Sequence, residues 1–320
     1  MSEKYKNEKE DEALKYLQNN FVGGESGSDN LDSIKKVDTS YLDNSALSNE
    51  FIQVPLTNLP CGIFYKQGVK ISIRSASVQE VQAYSVVDDN NYLDITEKMN
   101  HILGSCVRFH HANGTIGSYK DVRDSDRLYL IFMIRELTFP GGKNLSKDVI
   151  CDNGHEFKME LRATSSDKVK KTFVNYDMPD KISKYFDPKE KVFVFNIDGV
   201  DYKLSPPTIG IQEVFFGDIK DKIKIEKIPN VAFLKLVSFM LHDRNKITED
   251  GIKAKEQEFK NMGMKTFQIL NQAVGHMLFG IKEMKSECPT CGMEVRTDMS
   301  FPTGASNIFV IPDAFDEYFG

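Results

Sequence analysis

Two short clusters of potential metal ligands stand out in the chain: Cys288-Pro289-Thr290-Cys291-Gly292 and Cys151-Asp152-Asn153-Gly154-His155. Two residues between thiols is the spacing that lets both sulfurs face one tetrahedral ion, and Gly292 relaxes the backbone as the turn closes. Such a knuckle supplies only two ligands. Cys151 and His155 are the upstream pair that can supply the other two, although C-x3-H is a looser pattern than CxxC and His276 also competes for the fourth place. A mixed thiolate and imidazole set favours zinc. Two blander readings stay open: Cys151 as a small buried hydrophobe, and Cys288 with Cys291 as a redox pair or surface turn. An ion with four protein ligands has no position for a reacting water, so the expected role is structural.

No other constellation points to catalysis. The chain has no G-x-S-x-G elbow, Walker A loop, G-x-G-x-x-G fingerprint or H-E-x-x-H helix. His110-His111, beside Asn113-Gly114, reads as solvated histidines in a polar loop between two helices. Asp124 and Asp126 fall where a helix begins, and negative charge there is favoured by the helix dipole. A non-catalytic protein with no small-molecule substrate is expected.

The elements that must hold the knuckles read as an α+β fold. It has a helical core with short β-hairpins and a split zinc-ribbon-like β element, interrupted by a long mixed insertion. Residues 1–50 form a flexible acidic arm in which Leu14, Leu17 and Phe21 share one face of a possible docking helix. Residues 51–163 form an N-terminal helical domain carrying the first knuckle. Within it, Phe51 to Ile73 suggests a hairpin, and Ser77 with Glu80 makes a capping box for a helix through about Tyr84. Asp94 with Glu97 repeats that pattern ahead of the apolar face Ile95, Met99, Ile102, Leu103, Cys106 and Val107, which makes Cys106 core. Asp126 to Leu137 is apolar around nearly its whole circumference and reads as the central buried helix, ended by Pro140-Gly141-Gly142.

Residues 164–284 read as the insertion. Val192 to Ile197 and Val200 to Leu204 flank Asp198-Gly199, the strongest hairpin signal in the chain. Helical patterning starts at Asn230, and Phe267, Leu270, Val274, Met277, Leu278 and Ile281 extend a helix straight into Cys288. Residues 285–320 hold the second knuckle, closing strands at Glu294 to Ser300 and Asn307 to Ile311, and an aromatic end.

Composition limits the function classes. Five cysteines, an odd number, suit metal or free thiols in a reducing compartment better than a disulfide framework. The net charge is -6, and residues 1–50, with 11 acidic and 6 basic side chains, carry five of those six charges. The nearly neutral remainder has no basic stripe and is poor footing for nucleic acid. Met1 to Asp11 lacks the apolar segment of a secretory signal, and Val231 to Leu241 is too short to span a bilayer.

The order of features resembles the baseplate hub and tail-assembly proteins of T-even-like (bacteriophage T4-type) contractile-tail phages. The similarity lies in Val54-Pro55, Leu59-Pro60-Cys61-Gly62-Ile63-Phe64-Tyr65 and Ile71-Ser72-Ile73-Arg74-Ser75-Ala76-Ser77 running into a helix. It continues in the helix ending Cys106-Val107, Asp126-Arg127-Leu128-Tyr129-Leu130 with Ile134-Arg135, the knuckle at Cys151, Leu204-Ser205-Pro206-Pro207-Thr208-Ile209-Gly210 and the closing Cys-Pro-Thr-Cys-Gly. It covers roughly residues 51–320 through short motifs. His155 departs from the family pattern, which more often has cysteine there, and the acidic arm and helical insertion are additions. The resemblance implies a virion structural component of the tail baseplate hub, made in the bacterial cytoplasm, with other phage tail proteins as partners. Two alternatives are an assembly chaperone absent from the finished particle and a zinc-ribbon regulator binding nucleic acid or a polymerase.

Overall fold

The computed structural model describes residues 51–139, 145–165, 170–224, 231–240, 249–301 and 304–309. Leu14, Leu17 and Phe21, Pro140-Gly141-Gly142 and the aromatic end from Phe315 lie outside the described residues.

The described chain begins as an antiparallel sheet. Strand β1 (Ile52–Val54) pairs with β2 (Lys70–Ile73), Ile52 opposite Ile73. Strands β3 (Val107–His110) and β4 (Ile116–Gly117) complete the order β1-β2-β3-β4. The β1–β2 connection is a long loop with 3-10 turns at Leu56–Asn58 and Gly62–Phe64. Helix α1 (Val78–Ser85) starts with the complete Ser77–Glu80 capping box. Helix α2 (Tyr92–Cys106) is capped by Asn91, whose side chain accepts from the amides of Leu93 and Asp94. The expected cap, Asp94, instead sits in the first turn and accepts from the amide of Asp88. Met99, Ile102, Leu103 and Cys106 are buried along α2.

Helix α3 (Arg127–Thr138) is buried at Arg127 and from Tyr129 to Arg135. It ties distant segments to itself through its polar atoms. Tyr129 donates its hydroxyl to Ala163 O at 2.6 Å, Arg135 donates Nε to Ile308 O at 2.5 Å, and the Glu136 carboxylate accepts from the Ala163 amide at 2.6 Å. Asp126 departs from the helix-dipole expectation. Its carboxylate does not cap α3 but turns into the core, accepting from the Cys61 amide at 2.7 Å and the Tyr65 hydroxyl at 2.6 Å.

Hairpin β5 (Ser146–Ile150) and β6 (Glu156–Glu160) follows, and then β7 (Phe173–Asn175). After a short helix α4 (Asp180–Ser183), strands β8 (Phe186–Asp187), β9 (Val192–Ile197) and β10 (Val200–Leu204) form a sheet in the order β10-β9-β8. Asp198 (φ 50°) and Gly199 (φ 82°) make the two-residue turn between β9 and β10, both left-handed as a type I′ hairpin requires. Four helices come next: α5 (Ile209–Lys224), α6 (Val231–Met240), α7 (Glu249–Lys260) and α8 (Met264–His276). Helix α5 goes beyond the helical pattern read from Asn230 onward.

The helix expected to run into Cys288 ends at His276. Ile281–Glu287 is strand β11, paired with β7 on one side and with β12 (Glu294–Thr297) on the other. Gly280 at φ 124° makes the break that lets the chain leave the helix, and Leu278 is exposed. The final strand expected at Asn307 to Ile311 is likewise absent where described, since Ala305–Phe309 is a 3-10 helix.

Among the described residues all strand pairs are antiparallel, which makes this a mixed fold of helices and antiparallel sheets. Residues 49–320 form one unit and 1–48 another. The larger unit has two apolar cores. The first draws on residues between Val54 and Phe173, plus Ile209 and Met284 to Phe309. The second is built from Ile182 to Met277, with Cys61 and Phe64 plugged in from the β1–β2 loop. The segment between Asn175 and Ile281 begins and ends side by side, where the Tyr176 amide donates to Gly280 O at 3.1 Å beside the Ile281–Asn175 pair. Among the described residues no helix is long and apolar enough to cross a membrane.

Candidate metal centre

Each knuckle is the turn of a hairpin. In the first, Ile150 pairs with Glu156 and the turn runs Cys151 to His155. The Cys151 amide donates to His155 O at 3.0 Å, the Gly154 amide donates to Cys151 O at 2.8 Å, and Gly154 has φ 80°. In the second, Glu287 pairs with Glu294, the Cys288 amide donates to Met293 O at 2.8 Å, the Gly292 amide donates to Cys288 O at 2.8 Å, and Gly292 has φ 72°. The two turns share one design. A left-handed glycine late in each turn curls the backbone so that the ligand side chains face inward.

The hairpins meet turn to turn. Cys151 Sγ is 3.5 Å from His155 Nδ1 and 3.8 Å from Cys291 Sγ, across 140 positions of sequence. Cys288 Sγ is 4.0 Å from His155 Nδ1, and the four ligand atoms all lie within 4.8 Å of one another. Thiolates at about 2.3 Å and an imidazole nitrogen at about 2.0–2.1 Å from a tetrahedral ion stand roughly 3.5–3.8 Å apart, so the closest pairs already match such a shell and the widest would contract by up to about 1 Å. Lys147 of β5 adds a second tie between the hairpins, donating to Thr297 Oγ1 at 2.8 Å and Asp298 O at 3.1 Å. Cys151 and Cys288 are buried against the first core, His155 is half-buried and Cys291 exposed. One side of the site therefore rests on packed apolar groups while the other faces water.

The thiols have unequal environments. Burial opposes charge on Cys288, but the amides of Cys291 and Thr290 and the neighbouring thiols outweigh it and hold this thiol down at about 6. Burial pushes the Cys151 thiol up, only partly offset by the amides of His155 and Asn153. A thiolate is thus already favoured at one corner. A divalent cation entering the set would displace the protons held by the others, which is how thiolate sites couple metal affinity to pH. All four positions are protein ligands, so the arrangement can pin two hairpins together but offers no vacancy for activating water.

The other sequence candidates sit elsewhere. His276, at the end of α8, is exposed and outside the four-residue group. Cys106 is buried on α2 and Cys61 in the second core. His110 and His111 are not in a loop between helices: His110 ends β3, and His111 packs edge-on to Phe109 with Nε2 at 3.7 Å from Asp121. No family model, curated protein or solved structure matches the chain.

Proposed function

We propose that the chain is a non-catalytic structural component of a contractile phage tail baseplate hub, held in shape by one structural zinc ion on Cys151, His155, Cys288 and Cys291. The observation carrying the structural half is the closed ligand set: three sulfurs and one imidazole nitrogen, supplied by two hairpin turns and all within 4.8 Å. Three soft thiolates with one imidazole suit zinc. The ion closes a split ribbon whose strands lie on both sides of the second core in sequence. The hub assignment is supported by the motif resemblance over residues 51–320, and its partners are other tail proteins.

Quantitative mass spectrometry of purified particles and of unfinished tail intermediates tests the assignment. A fixed small copy number per particle is expected. Presence in intermediates with absence from finished particles replaces the structural part by an assembly chaperone. Absence from both overturns the phage reading and leaves a zinc-stapled protein of another system. Binding to nucleic acid that weakens steeply with salt would instead favour a regulator.

A further inference from the structure

A cleft of about 1060 Å³ lies away from the four metal ligands. Tyr65 and Phe109 of the first core line it together with Phe64 and Ile211 of the second core. Five basic side chains, Lys66, Lys120, Arg123, Lys191 and Lys203, line it against three acidic ones, Asp121, Glu190 and Glu213. In a chain of net charge -6 this is a local inversion of sign. One of the acids already has a cationic neighbour, since Lys120 lies 2.9 Å from Glu213, and His111 Nε2 lies 3.7 Å from Asp121. Field lines concentrate in such a cleft and raise the local concentration of anions.

Two further features mark it as a built surface. Glycine brings the backbone close to its polar lining: a Cβ on Gly210 would meet Lys120 O at 3.1 Å, and one on Gly117 would meet His111 Nε2 at 2.7 Å. Ser205, in the wall, is 2% exposed and its Oγ has no hydrogen-bond partner. A buried hydroxyl without a partner is costly, and native folds seldom keep one.

We infer that this cleft is a docking groove for an extended acidic segment of a partner protein. Carboxylates along that segment meet the basic lining, its apolar side chains lie against Val69 and Val214, and one of its polar groups satisfies Ser205 Oγ. The basic groups come from separate segments: the β1–β2 loop, the turns before α3, the β8–β9 turn and β10. That distribution suits several charges strung along a chain better than one compact anion. The volume also lies at the upper end of small-ligand sites, about 300–1,000 Å³. The inference uses none of the metal ligands and does not depend on the phage assignment.

Fluorescence anisotropy with the full chain tests it, using a labelled peptide of about 12 residues built from Asp-Leu-Glu-Ser repeats. The control replaces each acid by Lys, and inorganic phosphate serves as competitor. Only the acidic peptide should bind. Its Kd should rise about tenfold or more when Lys66→Glu and Lys191→Glu are combined, and should rise with added salt. Ser205→Ala should weaken the peptide several-fold while raising the Tm of the free protein, whereas a merely structural hydroxyl would alter Tm alone. The inference is overturned if neither peptide binds at millimolar concentration, if both bind equally, or if the double charge reversal changes nothing. Displacement of the peptide by millimolar phosphate would overturn it too, in favour of a small-anion site.

Discussion

Asp126 shows how a single residue can join the two cores. Its carboxylate holds the Cys61 amide and the Tyr65 hydroxyl, and Tyr65 in turn accepts from the Arg123 amide at 2.9 Å. Because Cys61 and Phe64 belong to the second core while Tyr65 belongs to the first, this one acid latches the β1–β2 loop between them. Burial pushes its carboxyl up to about 7, against the pull of Tyr65, the Cys61 amide and Arg123. A raised folded-state pKa means the native state holds a proton that the unfolded chain releases near pH 4. The contribution to stability is therefore full at acid pH and is lost as pH rises toward 7, by up to about 1.4 kcal/mol per pH unit. Urea unfolding should show that slope between pH 5 and pH 7 in the native chain, flattening by pH 8, and a shallower one in Asp126→Asn. Parallel slopes would remove Asp126 from this role. At Gly62 the constraint is steric, because a Cβ there would collide with the Leu56 carbonyl oxygen. Gly62→Ala should cost about 2 kcal/mol or more in a denaturant titration, since a backbone contact cannot move aside as a flexible side chain can. A loss under about 0.5 kcal/mol, the size of an ordinary surface substitution, would contradict that reading.

At the scale of elements, an ion on the four ligand residues would make the two hairpins a unit whose closure depends on it. Chelation should speed amide exchange in β5, β6 and β12 by at least about tenfold. It should leave α3, buried from Tyr129 to Arg135, unchanged, because local opening follows local stability. Uniform acceleration through α3 would mean the ion supports the whole fold, and no acceleration anywhere would mean it supports nothing. Local chemistry explains which elements were legible in sequence. Gly292 after the CxxC pair, the Ser77–Glu80 box and the Asp198-Gly199 turn each act within a few residues, and each is visible in the text of the chain. The run Phe267, Leu270, Val274, Met277, Leu278 and Ile281 misled because its spacing continues past the true helix end. Gly280, with φ 124°, and pairing to β7 over a hundred positions earlier turn its last residue into a strand. The true cap of α2 lay three residues before the expected one because Asn91 and Asp94 offer equally good local chemistry. Asp126 was misread for a similar reason: its partners, Cys61 and Tyr65, are set by tertiary packing. The basic cleft had no periodic signature, since its lining is assembled from segments that folding alone brings together.

For the molecule as a whole, the ribbon and the second core fit as frame and filling. The backbone enters the second core after Asn175 and returns at Ile281, and those two residues pair directly. An element of that size can therefore vary or carry a binding surface while the frame keeps its closure. The proposed metal site stands at the far end of the same β11 strand, so an ion bound there would reinforce the frame at the point where the return segment turns. One ion, held by Cys151, His155, Cys288 and Cys291, is proposed to make this closure. Native mass spectrometry of the whole chain tests it most directly. The expected spectrum shows one zinc per chain, lost on chelation and greatly reduced in Cys151→Ser and Cys288→Ser, but retained in His276→Ala. A chain purified without metal that takes up no zinc, or one whose zinc survives both cysteine substitutions, would contradict the claim.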